Sequence, residues 1–338
     1  MLPLRTERVT VRMMREQDVD RFVEYRNDPA IARLQSWALP FPEEAADRIV
    51  AEQSQLTGPA EGHWVQLAIE RDGDMIGDIA VHVHDGGGIA EMGFTLAAEH
   101  HGHGYASEAC DAVVDALLEH TTVQRFEASL DPTNVASMRV LEAVGMRLER
   151  LARMACLWRG EWVDDLQYAM TRSDRVEWKN RVRTAPAAIE FVEIAPDTAP
   201  LFGRLATHYS QQRFVSPMAL SFRDALFPDV VDGAPVVPWM RGIVADRERV
   251  GFMMTAEVTD HHPEPYLWRL LIDRLHQRRR IGERAVAMLI DQVRSGGHRT
   301  LIVSYGQGPG SPAPFYSRLG FVPTGELDGD EVIARLVI

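Results

Sequence analysis

Cysteine is nearly absent from this chain of 338 residues: Cys110 and Cys156 are the two present, too few for a disulfide framework and not in metal-ligand spacing. Lysine is scarcer still, with Lys179 alone against a background of arginine. No apolar run approaches the ~20 residues that cross a bilayer. The opening segment, MLPLRTERVTVRMMREQD, alternates and is charged, without the apolar stretch of a secretory signal. These absences lead to the expectation of a soluble, cytoplasmic protein with no membrane partner. What is present is ordinary for a globular chain, 46% hydrophobic and 25% charged residues, which excludes intrinsic disorder. The length is about twice that of a typical ~100–200-residue domain, so two domains are expected.

Charge is unevenly placed. Residues 1–172 carry 16 arginines, no lysine and 29 Asp and Glu, whereas residues 173–338 carry 20 of each sign. An acidic first half argues against a nucleic-acid surface and suits a cationic partner; solubility alone is the plainer reading.

The chain repeats itself. Two turns rich in glycine or arginine each open a helix, HHGHGYASEACDAVVDALLEH (100–120) and HQRRRIGERAVAMLIDQV (276–293). Each follows an apolar strand, EMGFTL (91–96) or YLWRLLID (266–273), and precedes another, RFEASL (125–130) or TLIVSY (300–305). Each copy then has a helix closing on Gly and an apolar residue, SMRVLEAVGM (137–146) and PFYSRLGF (314–321). The offset of about 175 residues is far too long for a solenoid and right for a duplicated domain.

The remaining segments fit one plan. In the first half, 9–14 reads as a strand, 18–27 as a helix, and HWVQLAIER with DMIGDIAVHVH as a hairpin around Asp72-Gly73. WVDDLQYAMTR (162–172) is its closing strand. In the second half, IEFVEI, WMRGIVAD, RVGFMMTAEV and EVIARLVI read as strands and LFGRLATHYSQQRF (201–214) as a helix. The predicted organisation is α/β (α+β): a domain over 1–172, a polar linker with room for a short helix over 173–188, and a second domain over 189–338.

A strand–turn–helix unit of this kind presents unpaired backbone N–H groups at the positive end of a helix, a ready site for phosphates. His101-Gly102-His103-Gly104-Tyr105-Ala106-Ser107 is the first such turn, and its small residues let the backbone approach an anion closely.

These residues resemble the pyrophosphate loop of the GNAT superfamily of N-acetyltransferases, whose pattern is Gln/Arg-x-x-Gly-x-Gly/Ala. The first half resembles the RimJ/RimL branch, which acetylates ribosomal-protein N-termini, through EMGFTLAAEHHGHGYASEA, Asn134 to Met146 and Arg159 to Asp164. His101 stands where that family has Gln or Arg. The second half resembles the diamine/polyamine branch through LWRLLID, QRRRIGERA, SPAPFYSRLGF, Thr324-Gly325-Glu326 and Glu331. There Gln277 and Gly282 fit the loop pattern, with Arg278, Arg279 and Ile281 at its open positions, but Arg280 takes a glycine's place and would either crowd the pyrophosphate or help to hold it. The resemblance implies two tandem domains, each a mixed, mostly antiparallel sheet that splays, flanked by helices, with acetyl-CoA as co-substrate. Its pantetheine arm would lie along Phe94, Thr95, Leu96 and 128–134, including Asn134, in the first domain. Leu271 and Ile272 take the equivalent place in the second.

Acetyl transfer requires an ammonium of pKa near ~10 to lose a proton, a fixed donor for the developing oxyanion, and an acid for the leaving thiolate. The resemblance implies direct attack in a ternary complex, and neither cysteine looks like a nucleophile. It offers Glu91 as the base, acting through water, and backbone N–H groups near Phe94 to Leu96 as the donor. The family's tyrosine acid is Leu141 in the first half, where Ser137 is the alternative, and Tyr316 in the second, where Pro309 replaces the asparagine. His82 and His84 share a strand face and either line the acceptor side or are an ordinary pair. No metal is expected, since His100, His101 and His103 lack separated-ligand spacing. Glu326, Asp328, Asp330 and Glu331 either receive a polyamine's distal ammonium or are a solvated turn. The acceptor is a small amine or a peptide N-terminus, the oligomer a monomer or homodimer. One catalytic domain beside a non-catalytic acyl-CoA- or substrate-binding domain is the alternative arrangement.

Overall fold

The computed structural model describes residues 1–231 and 233–338, which divide into two compact units, Met1–Asn180 and Arg181–Ile338. In the first, β1 (Leu4–Arg5) and β2 (Thr10–Met13) lead into α1 (Val19–Arg26), α2 (Pro29–Ala32) and α3 (Glu43–Glu52). Then come β3 (Trp64–Arg71), β4 (Asp74–His84), β5 (Ile89–Leu96), α4 (Tyr105–His120), β6 (Arg125–Leu130) and α5 (Val135–Val144). The long hairpin β7 (Arg147–Trp158) and β8 (Glu161–Thr171) precedes α6 (Arg172–Asn180). The eight strands form one sheet in the order β1-β2-β3-β4-β5-β6-β8-β7.

Asp72 and Gly73, both at positive φ (55° and 96°), join β3 to β4 in the conformation a two-residue hairpin requires. Strand β5 then runs antiparallel to β4 but parallel to β6, and the parallel pairing covers only Ile89↔Arg125, Ala90↔Phe126 and Glu91↔Glu127. Past Glu91 the two strands part, so the β6-facing backbone edge of Met92 to Leu96 loses its partner within the sheet.

Under β4 the first unit buries a polar cluster. Asp78 accepts from Tyr25 Oη (2.5 Å), Arg26 Nη2 (3.3 Å) and Gln66 Nε2. The Arg26 guanidinium lies 4.0 Å from the Phe22 ring and 4.1 Å from that of Trp37. Burial raises the Asp78 carboxyl pKa, while Arg26, Tyr25 and Gln66 act against that rise.

The second unit carries β9 (Ile189–Val192), α7 (Ala199–Phe202), α8 (Met218–Leu226), the short pair β10 (Val230–Val231) and β11 (Ala234–Pro235), then β12 (Pro238–Ala245) and β13 (Glu248–Ala256). It continues with β14 (Tyr266–Ile272), α9 (Ile281–Ser295), β15 (Thr300–Tyr305), α10 (Ala313–Arg318), β16 (Val322–Asp328) and β17 (Glu331–Val337). Its main sheet runs β16-β17-β15-β14-β13-β12-β9. Here too the central parallel pair is brief, Tyr266↔Ile302 and Leu267↔Val303, before β14 and β15 separate.

The helix expected over 201–214 does not form as one element. A helical turn, Ala199–Phe202, and a 3₁₀ turn, Tyr209–Gln211, flank a bend. Tertiary bonds replace the helical ones: Ala206 N donates to Asp273 Oδ2 (2.9 Å), Arg274 N donates to Ala206 O (2.9 Å), and Gln211 and Gln277 exchange amide bonds. Helix α6 covers the first part of the polar stretch over 173–188, starting one residue before it, and its Trp178 and Arg175 are buried in the first unit. No helix of the described residues is long and apolar enough to cross a membrane.

Candidate active site

In the first unit the loop after β5 is held at both ends. His101 Nε2 sits 2.9 Å from Leu96 O, tying the turn back to its strand. Gly102 (φ 78°) and Gly104 (φ 81°) are left-handed, and no heavy atom lies nearer than 3.5 Å to a Cβ built at either. The first intrahelical bond of α4 runs from Glu108 N to Gly104 O, so the amides of Tyr105, Ala106 and Ser107 have no acceptor within the helix. Tyr105 and Ala106 are buried while His101 to Gly104 are exposed, so the cradle rests on an apolar floor and opens to solvent.

Two cations absent from the sequence expectations flank this turn. Arg8 lies 4.9 Å and Arg71 5.0 Å from the Tyr105 ring centre, and Arg8 Nη1 donates to His103 O (2.8 Å). Arg8 is fixed by Glu108, which also accepts from Thr6 Oγ1 (2.6 Å). Burial works against its charge, but these hydrogen bonds hold the Glu108 carboxyl below its ordinary range. Arg71 also lines an open recess of about 470 Å³ with Arg21 and His100. Neither arginine lies near the loop in sequence; the strand order β1-β2-β3 brings them there.

The second loop repeats this geometry with different residues. Gln277 Nε2 donates to Ile272 O (3.0 Å), as His101 meets Leu96. Arg278 (φ 63°) and Arg280 (φ 59°) take the left-handed places of Gly102 and Gly104. The Arg280 side chain turns to Glu283 in the first turn of α9 (2.7 Å), and Arg279 is buried, donating to Thr184 O. The first helical bond runs from Arg284 N to Arg280 O, leaving Ile281, Gly282 and Glu283 as free helix-start amides. A left-handed, non-glycine backbone costs of order 1–3 kcal/mol and persists where its surroundings fix it. Both loops therefore offer the backbone donors that a pyrophosphate needs.

The catalytic candidates divide between the units. Glu91 is half-buried at the last β5–β6 pair and lies across from His82 on β4. His82 and His84 stack on each other with ring centres 5.1 Å apart, and Trp64 stacks on His82 at 5.0 Å. Asn134 is buried and caps α5, its Oδ1 accepting from Ser137 N (3.1 Å); Ser137 is half-buried in that first turn. Leu141 lies in the core. In the second unit, Tyr266 occupies the strand position of Glu91. Its hydroxyl meets Ser304 Oγ (2.7 Å), which in turn donates to the Glu331 carboxylate. Tyr316 is buried against Tyr305, Phe315 and Phe321. Burial chiefly raises its hydroxyl pKa, and Tyr266 and Glu331 push the same way, which keeps it protonated as an acid must be. Cys110 is buried with its thiol pushed up by that burial, which makes it inert, and Cys156 is exposed.

Two splayed sheets, each followed by an anion-cradling helix start, define a protein built to hold an acyl-CoA. Comparison with known proteins agrees: an acetyltransferase (GNAT) domain model matches residues 8–147, and an acetyltransferase (GNAT) family model matches residues 204–321. The chain belongs to the GNAT acetyltransferases, with two such domains in tandem, and is an acetyl-CoA-dependent N-acetyltransferase. It is 26% identical over 173 residues to an uncharacterized N-acetyltransferase, p20, of Bacillus licheniformis, covering 51% of this chain and 97% of that protein. It is 32% identical over 129 residues to a probable N-acetyltransferase, YjcK, of Bacillus subtilis, covering 38% and 71%. Among solved structures, RimJ of Mycobacterium smegmatis in complex with CoA-disulfide aligns at 25% identity with a TM-score of 0.43, over 51% of this chain and 87% of that one.

Proposed function

We propose that a primary amine attacks the acetyl group directly within a ternary complex, and that both units hold acetyl-CoA. The observation that carries this is the left-handed, strand-anchored loop before a helix start, built once from glycines and again from arginines. Bound acetyl-CoA supplies the activated thioester carbonyl. In the first unit, Gly102 to Ser107 receive the pyrophosphate, with Arg8 and Arg71 as flanking cations. The unpaired edge of Met92 to Leu96 lies along the pantetheine, with a strand N–H as donor to the developing negative charge. Glu91 takes the ammonium proton through water, and Ser137 protonates the departing sulfur.

The second unit runs on its own set. Gln277 to Gly282 form its cradle beside Leu271 and Ile272, Tyr316 serves as acid, and Tyr266 passes the amine proton through Ser304 to Glu331. The acceptor is a cationic small amine or peptide N-terminus, a reading supported by the acidic first half.

Calorimetric titration of the whole protein with acetyl-CoA, repeated on Gly104→Val, tests the two-site reading. Two sites, one of them weakened about tenfold or more in the variant, are expected. A single site, weakened in that variant, would leave the second unit without cofactor, and no binding in the unsubstituted protein would overturn the reading. General-base assistance is worth roughly 10²–10⁴-fold. Glu91→Gln is accordingly expected to lower kcat at the first unit at least ~10²-fold with acetyl-CoA affinity retained. Unchanged kcat would place the base elsewhere.

A further inference from the structure

Sequence spacing offered no metal site, because the conspicuous histidines crowd into the phosphate loop. Strand pairing brings together a different set. Among the described residues, the ligand atoms of His82, His84 and Glu91 all lie within 4.8 Å of one another, and this is the one group of three His, Cys, Asp or Glu side chains that converges in this way. We propose that these three side chains form a binding site for a divalent transition-metal ion of the zinc class, at the acceptor end of the first unit's splayed sheet.

The geometry follows from the sheet. Residues two apart on β4 point to one face, which puts both imidazoles side by side. The antiparallel register sets Glu91 of β5 directly across from His82, adding a carboxylate from the neighbouring strand. Zinc binds imidazole nitrogen at about 2.0–2.1 Å and carboxylate oxygen at about 2.0–2.2 Å, so ligand atoms around one ion stand roughly 3.3 Å apart. The observed spacing of up to 4.8 Å exceeds this by about 1.5 Å, the closure that a bound ion would draw from the three side chains.

Two surrounding contacts favour a ligand set over a chance pair. His84 Nδ1 meets Asp85 Oδ2 at 3.0 Å, the carboxylate–histidine contact that fixes a tautomer and leaves Nε2 free to bind a metal. Trp64, paired across from His82 on β3, stacks on its ring at an interplanar angle of 19° and limits its rotation. Three protein ligands leave a fourth position for water, and the nitrogen–oxygen set selects Zn²⁺, Co²⁺, Ni²⁺ or Cu²⁺ over Mg²⁺ or Ca²⁺. One consequence rests on the reading of Glu91 as base: an ion held there engages the carboxylate and occupies the acceptor side, so zinc suppresses acetyl transfer at the first unit.

The full-length protein, stripped with a chelator, is titrated with Zn²⁺ against a chromophoric competitor and, separately, with Co²⁺ followed by its visible absorption. One tightly held equivalent with a tetrahedral Co²⁺ spectrum is expected. His82→Asn and His84→Asn should each weaken it at least ~10-fold, and Asp85→Asn by roughly 10-fold. The double variant His100→Asn/His103→Asn should bind as the parent does. In the unsubstituted protein, Zn²⁺ should also protect His82 and His84 from acylation by diethylpyrocarbonate, a readout that needs no variant to fold. No stoichiometric binding, or binding lost in the loop double variant and kept in His82→Asn and His84→Asn, overturns the proposal. Stoichiometric binding at this site with undiminished acetyl transfer by the first unit would uphold the site and count against Glu91 as base.

Discussion

Backbone conformation at a few residues decides whether either unit can hold a phosphate. Gly104 sits at φ 81°, and a Cβ there would meet only Arg8 Nη2, at an ordinary contact distance of 3.5 Å, so the cost of substitution is conformational rather than steric. A β-branched residue there costs of order 1–3 kcal/mol or shifts the loop. Gly104→Val should therefore weaken acetyl-CoA at the first site about tenfold or more, read by calorimetry. The opposite substitution tests the second loop. Arg278→Gly and Arg280→Gly relieve two left-handed arginines, and the exposed Arg280–Glu283 pair contributes little. Both variants should keep or improve acetyl-CoA binding at the second site; a loss would put a guanidinium on the phosphates. A different residue, His208, adds acid sensitivity to the second unit. Burial, with Arg274 and Arg181 nearby, lowers the His208 pKa from 6.5 to about 4. The folded state thus favours neutral imidazole, and this stability is fully present above pH 6.5 and falls away as the pH drops towards 4. The loss is on the order of 2–3 kcal/mol. Urea denaturation at pH 7.5 and pH 5 should show a smaller acid loss for His208→Gln than for the parent; equal losses would assign it to other groups.

At the scale of elements, α6 belongs to the first unit through specific contacts. Arg175, 2% exposed, donates to Val144 O (2.6 Å) and to Asp115 (2.6 Å), and Trp178 Nε1 donates to Ala143 O (3.1 Å). The Trp178 ring fills the space a Cβ would need at Gly145, whose φ of 103° closes α5. Arg175→Ala should cost about 2 kcal/mol or more in chemical denaturation, since it leaves the Val144 carbonyl without its donor and empties the space of a buried side chain, while Asp111 and Asp115 keep Lys179. A fragment ending at residue 180 should melt roughly 10 °C above one ending at residue 172; equal melting temperatures would mean α6 only decorates the surface. Such contacts explain what the sequence could and could not say. The loops and their strands were legible because a duplicated strand–turn–helix pattern is a local signal; the splay came only from the family resemblance those loops carry. Strand β7 was not, since most of its residues are exposed and no alternation marks it. The break between α7 and the 3₁₀ turn was hidden because Asp273 and Gln277, some 65 residues away, set it. Asn134 was legible as a residue of interest, though its visible contact is a helix cap. The convergence of Glu91 with His82 and His84, and the approach of Arg8 and Arg71 to the loop, depend on strand register and order, which periodicity does not encode.

At the scale of the whole molecule, the proposed acceptor and the co-substrate carry opposite charges while the surplus sits on one stretch of chain. Residues 1–172 hold 29 carboxylates against 16 arginines, yet must accept a co-substrate rich in phosphate. Under the proposed reading, long-range repulsion of that anion is answered locally by the helix start of α4 and by Arg8 and Arg71 around Tyr105. A cationic acceptor meets the reverse situation, attraction at long range. The Debye length shrinks from about 30 Å at 0.01 M to about 8 Å at 0.15 M salt, which removes the long-range part of both effects and spares short contacts. The two substrates should therefore respond to salt with opposite signs. Raising ionic strength from about 0.01 to about 0.15 M should raise KM for an arginine-rich peptide acceptor severalfold, and leave acetyl-CoA affinity at the first site unchanged or slightly tighter. Steady-state kinetics and calorimetry over that salt series check both limbs. If both substrates weaken in parallel, the acidic surplus is not steering the acceptor, and the charge asymmetry serves solubility alone.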